Sequence, residues 1–494
     1  MMDSGVKGKQ YQRLVIRNPT VINGRGTPAE GPMDLVIEDG VITEMWKVDA
    51  VSLHRYPDDW KRPQGDRVID ATGMCVVPGL VEMHAHVPMD NANCGPRGTE
   101  YAYKLWLAHG VTTLRTVGWG VEEKLYEHRR MSEDDGELPI PRLFIMHGCL
   151  NAKDLTPDEA RERVGEFKSL GADGVKLIGG YYDVVEAICD ESRRLGMDGG
   201  VSVHLALNSE VDAVMAAEAG VSTIEHTYGI PEAAMPGVQS FPLDYNEMDE
   251  LVRFRESAFN WIEAEQYPER IIDVLDLLID HGTVWNPTMV AYESCRDLGR
   301  IRTLEWNEQY AVPPLRETWK PTPGQHASFH FDWKTSDEIA WKEKYRIWMK
   351  YLRVFFERGG VITVGSDAGS MYVLYGFSLI REMELLQEAG IHPIDIMKMA
   401  TTNASRILGL THLTEGVRKG YAADLAIVDG NPLDNFKVMY GLGVEKFLDD
   451  RVTRVRTGGV KWTIRDGVLF DATALLQDVE DYVAEFDEYG PPTW

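Results

Sequence analysis

The pattern of apolar and polar positions divides the chain into three parts. Over 13–48, short β-rich runs at 13–16, 34–37 and 41–44 are separated by turn chemistry. Asn23-Gly24 and Asp39-Gly40 are the hairpin signals there. From about 75 to 408 the texture changes. Apolar runs of strand length, at 76–86, 111–114, 143–146, 174–178, 201–204, 223–226, 283–286 and 361–365, alternate with longer amphipathic stretches near 183–195, 209–219, 267–281 and 336–358. Another helix is predicted to open at Pro157, with Thr156 as N-cap and Glu159 completing a capping box. Near-continuous apolar strands alternating with helices predict a parallel sheet buried on both faces. Eight such units predict an α/β protein with a (β/α)8 TIM barrel; a doubly wound open sheet is the alternative.

After 409 the short β-rich runs return, at 423–428, 452–457 and 460–464, with turns at Gly458-Gly459 and Asp466-Gly467. The economical organisation is one small β-sandwich built from both chain ends, residues 1–74 and 409–494, with the barrel of 75–408 inserted between its halves. Two stretches break the barrel pattern, 228–265 after the sixth strand and 287–335 after the seventh. Loops that follow barrel strands lie at the C-terminal face, where substrates bind, so these read as walls or a lid. The acidic, aromatic tail of 475–494 is expected to pack on the surface.

Composition narrows the function classes. A formal net charge of −27 leaves no basic face to neutralise phosphates, which argues against nucleic acid and against an anionic membrane. No run of about 20 apolar residues exists, so no transmembrane helix is expected. Met1 to Leu14 carries no apolar signal core. Five scattered cysteines without a Cys-x-x-Cys pair fit a reducing compartment, and a cytoplasmic location is expected.

The candidate chemistry lies at the strand ends. His84 and His86 share one face of the first strand, about 6–7 Å apart along the backbone, and can close on one metal ion. That pair alone is a weak signal. Further along, Lys176 lies in the fourth strand, the fifth ends in His204, the sixth in His226, and the eighth runs into Ser366-Asp367. Four histidines, a lysine and an aspartate thus converge on one rim of the predicted barrel.

The segments Pro78–His86, Gly174–Lys176, Val203-His204, Ile224–His226 and Gly365–Asp367, with 401–405 and 420–425, resemble the amidohydrolase superfamily over about 14–470. The likeness is nearest to its imidazolonepropionase-like and prolidase-like branch, whose members hydrolyse amide, carbamoyl or ester bonds. The resemblance implies a binuclear site for two divalent metal ions, zinc first. His84, His86 and Asp367 would hold one, His204 and His226 the second, and Lys176, carboxylated by carbon dioxide, would bridge them. It implies a metal-activated hydroxide as nucleophile, with Asp367 carrying the proton to the leaving nitrogen. Tyr228, two residues past His226, is a candidate oxyanion donor. Trp119, His147, Tyr181, Tyr182 and Asn286 are candidate substrate-pocket walls. The function expected is hydrolysis of an amide-type C–N bond in a small molecule, such as an N-acyl amino acid, dipeptide, carbamate or urea-like compound. The alternative is a deaminase of the same superfamily with a mononuclear site. A homo-oligomer is expected, with no nucleic-acid or membrane partner.

Overall fold

The computed structural model describes residues 6–55, 62–90, 92–118, 121–207, 210–236, 245–246, 248–320, 322, 333–370, 372–412 and 415–489. Its centre is a parallel sheet of seven strands: Leu80–Ala85, Val111–Val117, Arg142–Asn151, Gly174–Gly179, Gly200–His204, Thr223–Glu225 and Val284–Asn286. They neighbour one another in chain order, and every pairing is parallel. Apolar β-branched residues fill them because both faces are covered, by the barrel interior and by helices. Helices 98–108, 122–134, 157–170, 182–194, 213–218, 268–280 and 335–357 lie after the seven strands in turn. The capping box expected at Thr156 and Glu159 starts the third of these.

Two expectations about strands need correction. The run 76–86 is not one strand. It divides at Gly79 into Cys75–Pro78, which belongs to a smaller sheet, and Leu80–Ala85, which opens the barrel. A Cβ at Gly79 would lie 2.2 Å from the Thr112 hydroxyl oxygen, so only glycine lets the chain cross there. The predicted eighth strand at 361–365 forms no regular strand. Residues 361–368 instead close the ring by single bridges, Ile362 to Trp285 on one side and Ala368 to Ala85 on the other. The Met83 and Asp367 amides donate across this seam to the carbonyls of Val364 and His84, at 3.0 and 2.9 Å. Regular pairing gives way where Gly365 runs close to its neighbours; a Cβ there would lie 2.7 Å from the Asn286 side chain and 2.9 Å from His84 Cβ. The result is a nearly closed barrel of seven strands plus an irregular closing segment.

Beyond the barrel are two smaller sheets. One has four strands, 41–47, 33–38, 13–17 and 67–70 in spatial order. The other has five and draws on both chain ends, joining 20–21 and 75–78 to 425–428, 460–465 and 468–471. One apolar cluster takes Leu14, Ile16, Leu35 and Ile37 from the first and Val76, Leu425, Ile427 and Ile464 from the second. The run at 452–457 does not join either sheet. Its ordered part, Arg454–Thr457, pairs with Val444–Phe447 as a separate two-stranded ribbon. The tail forms a helix, Ala472–Tyr489, that buries Leu475, Val479 and Tyr482 against the barrel core. From the first insertion, helix Glu250–Ala264 packs against the barrel helix Thr335–Glu357. Among the described residues no helix is long and apolar enough to cross a membrane.

Candidate metal centre

Strand alternation brings His84 and His86 to the barrel mouth on one face. His204 is the last residue of its strand, His226 follows the next, and Lys176 lies inside the strand between 174 and 179. Asp367 arrives on the closing segment. One ligand atom each from His84, His226 and Asp367 lies within 4.8 Å of the others. His86 Nε2 is 2.9 Å and His84 Nε2 3.5 Å from Asp367 Oδ1. The ring centroids of His204 and His226 are 4.3 Å apart, and those of His84 and His226 4.8 Å. His84, Lys176 and His226 are buried; His86 and Asp367, 20% and 16% exposed, face the opening.

Burial pushes the imidazole of His84 down to about 4, helped by the Lys176 charge. Burial also holds His204 and His226 well below the ordinary imidazole range, His204 helped by its neighbour His226. Burial alone would raise Asp367, but the adjacent His84, His86 and His226 outweigh it and hold the carboxyl well below its ordinary range. Neutral imidazoles and an ionised carboxylate are the protonation states that bind a divalent cation, so this donor set fits one.

The layer beneath the donors holds them in place. Glu225 is wholly buried, and its carboxylate accepts bonds from His84 Nδ1 at 2.7 Å, Ser202 Oγ at 2.6 Å, Asn286 Nδ2 at 2.8 Å and the Arg115 guanidinium. With Nδ1 engaged, His84 presents Nε2 to the site. The Glu82 carboxylate joins the two arms of the centre. It accepts from the amides of His84 at 3.0 Å and Ser366 at 2.8 Å, and from the Ser366 hydroxyl. His226 Nδ1 is 2.5 Å from Thr288 Oγ1. The backbone around His226 is pinned by indoles: Trp285 donates to the His226 carbonyl at 2.6 Å and Trp261 to that of Thr227 at 3.0 Å. His226, Thr288 and Asp367 all have left-handed backbones, with φ of 67°, 46° and 61°. Such strain persists in non-glycine residues only where the surroundings enforce it.

The wall candidates divide. Tyr228 is buried, and its ring stacks on His204 at 5.4 Å. Tyr181 is half exposed at the start of helix 182–194, and Tyr182 packs partly into the core. His147 faces the outer helices: its ring lies 4.1 Å from that of Phe167, and Nδ1 is 2.8 Å from the Tyr126 hydroxyl. Asn286 is wholly buried below the donors, with its amide spent on Glu225 and on the Met83 carbonyl. Trp119 lies outside the described residues. Glu225, Arg115, Ser202 and Thr288 escaped the reading of the sequence. The available signal was charge inside apolar strands, Arg115 at 111–117 and Glu225 at 223–225.

The chain is similar to known proteins in sequence and in fold. The amidohydrolase family model matches residues 346–469, the stretch that carries Asp367. An imidazolonepropionase from Porphyromonas gingivalis is 31% identical over 106 residues, 22% of each chain. The matches to the first curated relatives thus span about a fifth of their length or less. An imidazolonepropionase from Brevibacillus brevis is 22% identical over 426 residues, 82% of this chain and 86% of the relative. A solved structure of a Xaa-Pro dipeptidase with bound methionine superposes with a TM-score of 0.62 at 19% identity, over 93% of this chain and all of that one. In its barrel fold, and in sequence over 346–469, the chain is similar to the amidohydrolase family, with likenesses to imidazolonepropionases and to a Xaa-Pro dipeptidase.

Proposed function

We propose that the protein is a metal-dependent hydrolase of an amide-type C–N bond in a small molecule: an N-acyl amino acid, a dipeptide, a carbamate or a urea-like compound. One observation carries the reading, the convergence of His84, His226 and Asp367 donor atoms within 4.8 Å at the open mouth of the barrel. In this reading His84, His86 and Asp367 hold one divalent ion, zinc first, and His204 with His226 a second. Lys176, as its carbamate, would be a donor shared by both. Its charge is felt at His84, His204 and His226, so an ammonium there would oppose bound cations, whereas a carbamate adds an anionic oxygen donor.

A divalent metal in this site supplies Lewis acidity and a water deprotonated near neutral pH. Asp367, ionised and facing the opening, takes the proton of the attacking water and delivers it to the leaving nitrogen. Glu225 keeps His84 in one tautomer, and Glu82 holds the Asp367 segment against the His84 strand. Tyr228, stacked on His204, donates to the oxyanion of the tetrahedral intermediate. In this reading the catalytic barrel occupies 75–408 apart from strand Cys75–Pro78, which joins segments 1–74 and 409–494 in a sandwich of the two small sheets.

The test is metal content per chain by elemental mass spectrometry on protein purified without chelators, followed by a panel of N-acyl amino acids, dipeptides and carbamates. About two metals per chain with amide hydrolysis is expected. One metal with ammonia release from an amino-substituted ring would replace the reading with a deaminase, and metal-free, inert protein would remove it.

A further inference from the structure

Lys344, on helix Thr335–Glu357, is wholly buried. Removing an ammonium from water is costly unless a partner repays it. Among the described residues its Nζ meets no carboxylate within ion-pairing distance. It donates instead to Ser257 Oγ, at 2.6 Å, on the helix packed alongside. It also sits 3.9 Å from the ring centroid of Trp341 and 5.6 Å from those of Trp348, Tyr292 and Tyr228. A cation within about 6 Å of a ring centroid is attracted by the ring's quadrupole, most strongly where water is absent. One of these rings, Tyr228, stacks on His204. The lysine therefore stands behind the proposed oxyanion donor, on the helix Thr335–Glu357 that packs against the first insertion.

We propose that the Lys344 ammonium, anchored by Ser257 inside this aromatic cage, is a positioning residue that fixes the Tyr228 ring and strengthens its hydroxyl as a hydrogen-bond donor over the metal centre. A positive charge near a phenol ring draws electron density from the oxygen and favours donation of the O–H proton. The inference rests on the assignment of Tyr228 as oxyanion donor. A second observation gives it a signature in pH. Burial pushes the Lys344 amine down to about 7, while Cys295 from helix 289–302 and Glu232 from helix 230–234 act in the opposite sense. Tyr228 and Tyr292 also face it, and the Arg253 charge acts on both tyrosines. The ammonium prevails below about 7 and is lost above it, so the advantage conferred by the Tyr228 hydroxyl shrinks as pH rises through that value.

The experiment is a double-mutant cycle on the metal-loaded protein with 4-nitrophenyl acetate, a chromogenic ester, and the amide panel above. Lys344→Met is expected to lower kcat on the order of tenfold, with KM and metal content unchanged. It should add nothing to Tyr228→Phe, and Lys344→Arg should restore the rate. The wild-type to Tyr228→Phe rate ratio should fall above pH 7 in the native background and stay level in Lys344→Arg. Ser257→Ala, which leaves the charge but frees it, should lie between. Additive losses, or full activity in Lys344→Met beside a slow Tyr228→Phe, overturn the proposal and leave the hydrolase reading intact. A normal rate in Tyr228→Phe removes the donor assignment and this inference with it. Loss of metal or of folding in Lys344→Met, together with a flat pH ratio in the native background, makes the lysine a structural tie only.

Discussion

Replacing Glu225 by glutamine probes whether the layer beneath the donors sets metal affinity. Glutamine keeps the shape of the side chain but removes its charge and turns one acceptor oxygen into an NH2 group. All four partners of Glu225 are donors: His84 Nδ1, Ser202 Oγ, Asn286 Nδ2 and the Arg115 guanidinium. Whichever way the amide turns, NH2 opposes two of them. Arg115 is wholly buried and would lose its only carboxylate among the described residues. Breaking a buried ion pair from one side costs about 3–5 kcal/mol. Loss of the group that orients a metal-binding imidazole typically costs about 10–100-fold in affinity, or about 1.4–2.7 kcal/mol. The two costs separate experimentally. Chelator competition reads metal affinity, and denaturant melts of chelated protein read stability. In Glu225→Gln both should fall. Adding Arg115→Met removes the stranded charge, so stability should recover while metal affinity stays low. Wild-type metal affinity in the single variant would refute the argument, because His84 would then need no anionic partner to present Nε2.

Other perturbations address the donors. Asp367→Asn should abolish turnover while most of the metal stays bound; surviving turnover would remove Asp367 as the proton carrier. Lys176→Ala should lose metal, with partial recovery in a short carboxylic acid, read by elemental analysis; unchanged content of two metals would end the bridging role. For Glu225, burial would raise the carboxyl, but Arg115, Lys176 and His84 outweigh it and hold it well below 4.5. A depressed carboxyl stabilises the fold above its unfolded pKa and loses that contribution as pH falls toward the folded value. Melts of chelated protein below pH 4.5 should therefore show a steeper acid loss in wild type than in Glu225→Gln, and equal slopes would count against that linkage.

The parts of this fold that were legible in the sequence are those where local pattern and global role coincide. Continuous apolar strands between amphipathic helices mark a buried parallel barrel, and histidines at successive strand ends mark its mouth. The closing segment was misread because 361–365 has strand composition, yet Gly365 brings it so close to Asn286 and His84 that regular pairing fails. The run at 76–86 reads as one strand because its hydrophobicity is unbroken. Its division depends on Gly79 meeting Thr112, a contact set by packing alone. Substrate-wall residues were least legible. His147 and Asn286 follow or end the predicted strands as a wall residue would, but His147 lies inside the longer strand Arg142–Asn151, and which face a side chain takes depends on local register. One turned toward the helices and the other into the layer below.

The strain at the mouth explains why so much buried polarity is spent beneath it. Left-handed backbones at His226, Thr288 and Asp367 cost of order 1–3 kcal/mol each. Each is enforced by a bond from a rigid part of the barrel. The His226 amide donates to the Asn286 carbonyl at 2.9 Å and Asp367 to that of His84 at 2.9 Å, while Thr288 shares its hydroxyl with His226 at 2.5 Å. The same bonds turn two donor side chains off their strand directions and into one volume. An extended backbone at His226 or Asp367 would relieve the strain and point the ligand elsewhere. The strained geometry therefore organises the donors before any cation arrives, and binding does not have to supply that ordering. Glu82 sits where this matters most, since its one carboxylate couples the backbone of His84 to that of Ser366, next to Asp367. A carboxylate two residues before the first histidine thus ties the two segments that carry His84 and Asp367.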